Sequence, residues 1–150
     1  MKLIGSEIGA MGMGIPAGIA AAIRYPDRQV FSLVGDGGAL MTGSELATAV
    51  AQKAKIRVIV ANNEHYGTIR YHQELHFPSR EHYATNLVNP DFAKYGESFG
   101  LECFTIEKVE EIIPTLKKAM KVDGPSLIEF KMSLELNTST TTITQLQMNK

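Results

Sequence analysis

Apolar positions along this 150-residue chain follow two alternating patterns, helical spacing and continuous apolar runs. Continuous runs of the kind that is buried in a parallel sheet cover residues 29–34 and 56–61, and they predict two strands. Apolar side chains at helical spacing predict a helix over 14–24, with Pro16 in its first turn, and a second helix over 42–54. The first half of the chain therefore alternates helix and strand.

The second half repeats this alternation after an irregular stretch. Residues 62–89 hold all four histidines and show little periodicity, which predicts a long functional or mobile loop. The elements predicted after it are a helix over 89–99, a strand over 101–106, a helix over 109–121 and a strand over 126–132. Because strands alternate with helices, we expect a three-layer α/β/α fold with a mostly parallel sheet. We place one domain at 1–134 and a polar, threonine-rich tail at 135–150.

Composition narrows the class of protein. The chain is 44% hydrophobic with a net charge of -1, which indicates a globular domain, and no basic stripe suggests a nucleic-acid partner. No apolar run is long enough to cross a membrane, and residues 1–5 are too short for a signal peptide. The single cysteine, Cys103, favours a reducing compartment and is expected in the core. We expect a soluble, cytoplasmic domain.

Unusual side chains follow both strands of the first half. Gly35-Asp36-Gly37-Gly38 ends the first predicted strand, and Asn62-Asn63 ends the second. If the strands are parallel, Asp36 and Asn63 emerge at the same edge, where ligands bind in open α/β sheets. Their oxygens suit Mg²⁺, and glycine N–H groups at a helix start suit a phosphate. The alternatives are a plain turn with a strand terminator, and a ribose-binding acid.

The ribose alternative rests on a second glycine pattern. Residues 12–17 match the G-x-G-x-x-A form of the dinucleotide fingerprint, and Asp36 lies where its acid is expected. That fingerprint follows a strand, for which residues 1–4 offer only a stub. A ribose-binding acid also needs no asparagine pair one strand later. An NAD-binding domain is therefore the weaker alternative.

The two strand-end motifs together carry a family resemblance. The segment VGDGGALMTGSELATAVAQKAKIRVIVANN resembles the thiamine-diphosphate motif, which begins with GDG and ends with NN. Asp36 and Asn63 lie 27 positions apart, within the usual span of that motif. Upstream, GAMGMGIPAGIAAAI is similar to a segment of acetolactate synthases, pyruvate oxidases and benzoylformate decarboxylases. The resemblance covers about residues 5–133 and matches the pyrophosphate-binding domain, usually the C-terminal third of such enzymes.

The resemblance implies a Mg²⁺ site and a cofactor site. The Mg²⁺ ligands would be the side chains of Asp36 and Asn63 and the backbone carbonyl of His65. Further cofactor contacts are implied for the diphosphate-binding N–H groups of Gly37 and Gly38, and for Gly35, Tyr66 and Gly67.

Two further contacts are implied on the aminopyrimidine side of the cofactor. The Gly9 carbonyl would accept from its 4′-amino group, and the Met11 N–H would donate to a ring nitrogen. The Met11 side chain would support the bent cofactor; without the resemblance, core packing is an equally good reading of this residue.

The implied activity is decarboxylation or carboligation of a small 2-oxo acid, with carbanion stabilisation by the cofactor. The activating glutamate of the family lies on a pyrimidine-binding domain, usually from a neighbouring subunit, and no segment here resembles that domain. We assign this role to none of Glu7, Glu45 and Glu64, and expect a dimer or higher oligomer whose isolated chain is inactive. The alternative is a non-catalytic remnant or a cofactor-binding interaction module.

The stretch after the asparagine pair departs from acetolactate synthases. Those enzymes carry Met and Trp where this chain has Thr68 and His72, so the resemblance is to acetolactate-synthase-like enzymes. His65, Arg70 and His72 are candidates for contacting a substrate carboxylate. His72 and His76 have the spacing of a helical metal site, although no third ligand supports it.

Overall fold

The computed structural model describes residues 5, 9–77, 81–135 and 141–148, and its centre is a four-stranded parallel sheet. The strand order is β1-β2-β4-β3, and every neighbouring pair is parallel. The strands are β1 (Val30–Gly35), β2 (Ile56–Asn62), β3 (Glu102–Ile106) and β4 (Ser126–Lys131). The helices are α1 (Gly14–Arg24), α2 (Asp36–Thr42), α3 (Leu46–Ala51), α4 (Gly67–His76), α5 (Phe92–Ser98), α6 (Ile112–Ala119) and α7 (Ile143–Met148).

Helices cover both faces of the sheet. On one face, α1 packs on β1 and β2 while α5 packs on β3 and β4, and the larger core cluster lies there. On the other face, α6 packs on β3 and β4 over a smaller cluster. Successive residues of β4 divide between them, since Leu127 belongs to the first cluster and Ile128 to the second. The predicted three-layer α/β/α fold is confirmed.

Close approach of α1 to β1 depends on a glycine. A Cβ on Gly14 would lie 2.2 Å from Val34 Cγ1, and the Gly14 carbonyl accepts from Ser32 Oγ at 2.8 Å. The glycine-rich segment before α1 is thereby held against β1, the strand that ends directly before Asp36.

The first predicted strand is only half buried. The prediction of burial on both faces is confirmed for β2 but wrong for β1, where Phe31 is 46% and Leu33 73% exposed. The reason is position: β1 is an edge strand of the described sheet, and α6 packs on β3 and β4 only.

Several predicted element boundaries are wrong. Instead of one helix over 42–54, helical turns begin at Asp36, pass through a 3-10 turn at Gly43–Glu45 and end at Ala51. On this segment Ala49 is buried, whereas Ala47 is exposed. Gly37 and Gly38, whose N–H groups were predicted to lie at a helix start, form the first turn of α2.

Helix α4 lies inside the stretch predicted as a loop. Its apolar residues Ile69 and Leu75 are 48% and 47% exposed, while its buried residue is Glu74, so its apolar side chains do not mark the buried face. The tail contains α7, which packs on α4; tail residues 136–140 and 149–150 lie outside the described residues, as does Glu7. No helix in the described part of the chain has the length and apolar character needed to cross a membrane.

A buried arginine, Arg57, forms hydrogen bonds with the turn that precedes β4. Arg57 on β2 is fully buried and donates to the carbonyls of Gly124 and Val122, the latter at 2.8 Å. Burial lowers the pKa of this guanidinium, and the charge of Glu102 partly offsets that effect. The guanidinium therefore links β2 to the turn that precedes β4.

Candidate functional site

A cavity of about 420 Å³ lies at the carboxyl end of β1. Three segments line it, residues 9–14, 33–38 and 65–69. It brings together all the predicted cofactor contacts, namely Gly9, Met11, Gly35, Gly37, Gly38, Tyr66 and Gly67. Of the predicted metal ligands, Asp36 and His65 line it, whereas Asn63 is hydrogen-bonded to His65 but is not among the lining residues.

Asp36 is a buried carboxylate that has no cationic partner in the described part of the chain. It is the first residue of α2 and 2% exposed. Its Oδ1 accepts the Gly37 N–H at 2.8 Å, and its Oδ2 accepts from Asn89 Nδ2 at 2.8 Å. No lysine, arginine or histidine among the described residues forms an ion pair with it. Because a buried charge needs compensation, the environment of Asp36 fits a bound cation.

The two asparagines at the end of β2 have different environments. Asn62 is buried, its Nδ2 donates to Glu129 Oε1 at 2.8 Å, and its Oδ1 accepts from the Glu64 N–H and from Asn89. Both lone pairs of the Asn62 oxygen are therefore used. Asn63 Oδ1 accepts the His65 N–H at 3.2 Å, which leaves a lone pair for a metal. Of the pair, Asn63 is the better candidate ligand.

The His65 ring is fixed by two contacts. Nδ1 lies 3.0 Å from the Asn63 carbonyl, an acceptor, and Nε2 faces Arg70 Nη1, a donor. These neighbours select the tautomer with the proton on Nδ1. Of the candidates for substrate contacts, His65 lines the cavity, Arg70 lies behind it, and His72 is exposed on α4.

No third metal-ligating side chain joins His72 and His76 among the described residues. The two rings stack with their centroids 5.6 Å apart. Among the described residues, no three or more His, Cys, Asp or Glu side chains are grouped for metal binding.

The segment 9–13 does not form the strand that a dinucleotide fingerprint requires. Gly12 has a left-handed φ of 85°, and its carbonyl accepts from Thr42 Oγ1 at 2.7 Å. Met11 is 48% exposed at the cavity. Residues 1–4, the stub considered as that strand, lie outside the described residues.

Two residues of this site were missed from the sequence. Asn89 was interpreted only as the start of a helix, which begins at Phe92 with Asp91 as its N-cap. Glu129 lies in the strand predicted over 126–132 and was given no role. A charged residue in a buried strand indicates a buried polar partner, which is Asn62. No local pattern marks Asn89, because its partners Asp36 and Asn62 are distant in sequence.

Comparison with known families identifies one match over most of the chain. The model of the family described as "Thiamine pyrophosphate enzyme, C-terminal TPP binding domain" matches residues 3–130.

Individual proteins agree with this match. A Bacillus subtilis protein described as thiamine pyrophosphate-containing, YdaP, is 35% identical over 133 residues, which are 89% of this chain and 23% of that protein. The mitochondrial acetolactate synthase catalytic subunit of Saccharomyces cerevisiae is 34% identical over 125 residues, 83% of this chain and 18% of that protein. The solved structure of a thiamine diphosphate-dependent 4-hydroxybenzoylformate decarboxylase from Rhodococcus jostii RHA1 superposes with a TM-score of 0.78 at 30% identity, over 84% of this chain and 24% of that one. The chain thus spans about a fifth of the length of these relatives.

Proposed function

Because this chain belongs to the family of thiamine pyrophosphate enzymes, as their C-terminal TPP-binding domain, we propose that it binds thiamine diphosphate through Mg²⁺ for an acetolactate-synthase-like 2-oxo-acid decarboxylase or carboligase. The observation that carries the proposal is the buried Asp36 carboxylate, which has no cationic partner among the described residues and opens on the cavity. Oxygen ligands from Asp36, Asn63 and the His65 carbonyl suit Mg²⁺. When bound, the cofactor supplies carbanion stabilisation beside a 2-oxo acid carbonyl.

The other residues that line the cavity are proposed to contact different parts of the cofactor. Gly37 and Gly38 lie beside the metal ligand Asp36 and are proposed to face the diphosphate. Gly9 and Met11 also line the cavity and are proposed to contact the aminopyrimidine. Gly35, Tyr66 and Gly67 line it as well and are proposed as further cofactor contacts.

The activating acid is proposed to come from a pyrimidine-binding partner. No glutamate is among the described residues that line the cavity, where Asp36 is the one carboxylate. Glu45 accepts from Thr48 on its own helical segment, and Glu64 is exposed. The chain also spans about a fifth of its relatives' length, so those relatives contain further domains. These observations support the proposal of an active site that is completed across an interface, in a dimer or larger oligomer.

Calorimetric titration with thiamine diphosphate tests the cofactor assignment. We expect binding to the chain, alone or co-expressed with a pyrimidine-binding domain, that requires Mg²⁺. Asp36→Asn keeps the side chain's size and should abolish Mg²⁺-dependent binding, whereas Asp27→Ala, at an exposed turn aspartate, should not. Unchanged binding by Asp36→Asn contradicts the metal assignment. Binding without CO₂ release from 2-oxo acids by the co-expressed pair favours the non-catalytic alternative.

A further inference from the structure

We propose that Asn89, a residue outside the cavity wall, is a positioning residue that holds Asp36 in the orientation needed for metal binding. The inference rests on the proposed function, and it adds to that function a residue which neither strand-end motif contains. Asn89 precedes α5, and its side chain connects the end of β1 to the end of β2.

The amide nitrogen of Asn89 makes both of these connections. Nδ2 donates to Asp36 Oδ2 at 2.8 Å and to Asn62 Oδ1 at 2.8 Å. With the Gly37 N–H on Oδ1, each carboxylate oxygen of Asp36 thus accepts one neutral donor. Two donors on different oxygens fix the plane of the carboxylate without neutralising its charge. Such support of a ligating carboxylate is what tunes metal affinity at many sites.

Neighbouring groups determine which way the Asn89 amide points. Asn62 is oriented first, because its Nδ2 donates to Glu129 and its Oδ1 accepts the Glu64 N–H. The oxygen that Asn62 presents to Asn89 is an acceptor, and so is Asp36 Oδ2. A flipped Asn89 amide would place its oxygen against both acceptors. One assignment of donors and acceptors therefore satisfies all three hydrogen bonds between Glu129 and Asp36, with Asn89 Nδ2 donating to both of its neighbours.

The other end of the amide argues against a purely structural role. Asn89 Oδ1 is buried and has no hydrogen-bond partner among the described residues. A buried acceptor without a donor is unfavourable for the fold. Among the described residues, the hydrogen bonds of the Asn89 side chain are therefore those of Nδ2, to Asp36 and Asn62.

Metal affinity measured separately from stability tests this inference. Asn89→Leu keeps the volume but removes the donor, Asn89→Ser keeps one donor, and Asn86→Ala is the control at an exposed asparagine of the same segment. We expect calorimetric Mg²⁺ affinity, measured with thiamine diphosphate present, to fall about 10- to 100-fold for Asn89→Leu, less for Asn89→Ser, and not for Asn86→Ala. Metal-free thermal unfolding is recorded for each variant.

The outcomes separate the two proposals. A purely structural role predicts a lower melting temperature without metal but an unchanged Mg²⁺ affinity in the Asn89→Ser variant, and this result overturns the inference alone. A wild-type chain, with its pyrimidine-binding partner, that takes up neither Mg²⁺ nor cofactor overturns the proposed function together with the inference.

Discussion

The ring of Tyr66 occupies the space that a side chain on Gly37 would need. A Cβ at position 37 would lie 2.5 Å from Tyr66 Cε1 and 2.8 Å from Cδ1. The start of α2 and the segment before α4 are therefore in direct contact at the cavity. Gly37 is thus needed for packing, in addition to any contact of its backbone with a phosphate.

Gly37→Ala should damage both stability and the cavity. The added methyl group must displace the Tyr66 ring, and overpacking of this kind destabilises proteins by about 1–3 kcal/mol. Urea unfolding and thiamine diphosphate titration measure the two effects. Gly35→Ala is the matched control for the urea unfolding measurement, because a Cβ there meets nothing within 4 Å and the φ of Gly35 is -73°. Equal unfolding free energies of the two variants would show that the Tyr66 contact does not contribute to stability.

Met11→Ala should weaken cofactor binding with little effect on folding. The side chain is 48% exposed at the cavity, so its removal uncovers little core. We expect a loss of about 1 kcal/mol in binding free energy, from one partly buried side chain. Met120→Ala is the control, since Met120 is 44% exposed at the end of α6. A large drop in melting temperature for Met11→Ala, without loss of cofactor affinity, would instead favour the core-packing interpretation.

Arg57→Lys should destabilise the domain although it keeps the charge. The two terminal nitrogens of Arg57 donate to the carbonyls of Gly124 and Val122, and a single ammonium group cannot reproduce this fork. Losing a donor to a buried carbonyl costs about 1–3 kcal/mol. Denaturant unfolding measures the loss, and Arg28→Lys, in an exposed turn, should change stability by less than about 0.5 kcal/mol. A denaturation midpoint of Arg57→Lys equal to that of the wild type would contradict the prediction.

Stability should fall at alkaline pH because of Cys103. Burial, followed by the charge of Glu97, raises the pKa of this thiol from 9.0 to about 11. Because the folded state disfavours the thiolate, the contribution of Cys103 is complete below pH 9 and is lost as the pH rises towards 11. The measurement is the unfolding free energy of the wild type minus that of Cys103→Ser, from pH 8 to 11. A difference that is independent of pH would contradict the prediction.

The sequence predicted best what depends on a local pattern. The buried run of β2 and the helix at Gly14–Arg24 have the correct type and nearly the correct ends. The patterns also predicted two parallel strands whose carboxyl ends lie at the same edge of the sheet. In the structure β1 and β2 are parallel neighbours. Burial of the outer face of β1 was predicted wrongly, because that face depends on which helices reach an edge strand. Sequence periodicity carries no such information.

The supporting residues of the site could not be predicted from local sequence patterns. Helix α4 was missed because its inward residue is the acid Glu74. Asn89 was missed because its function depends on two side chains that are 53 and 27 residues away. Only the tertiary fold brings these amides together. The glycines and the metal-ligand candidates were found because they occur as motifs at strand ends.

The hydrogen-bond chain from Glu129 to Asp36 has a consequence for the order of folding. Its links join residues separated by 67, 27 and 53 positions, so each one closes a long loop. The link between Asn62 and Glu129 forms only after β4 has paired with β2. A nascent chain that ends before β4 has both strand-end motifs and Asn89 but lacks the carboxylate that holds the Asn62 amide, so we expect it to bind the cofactor less tightly than the domain with β4 in place.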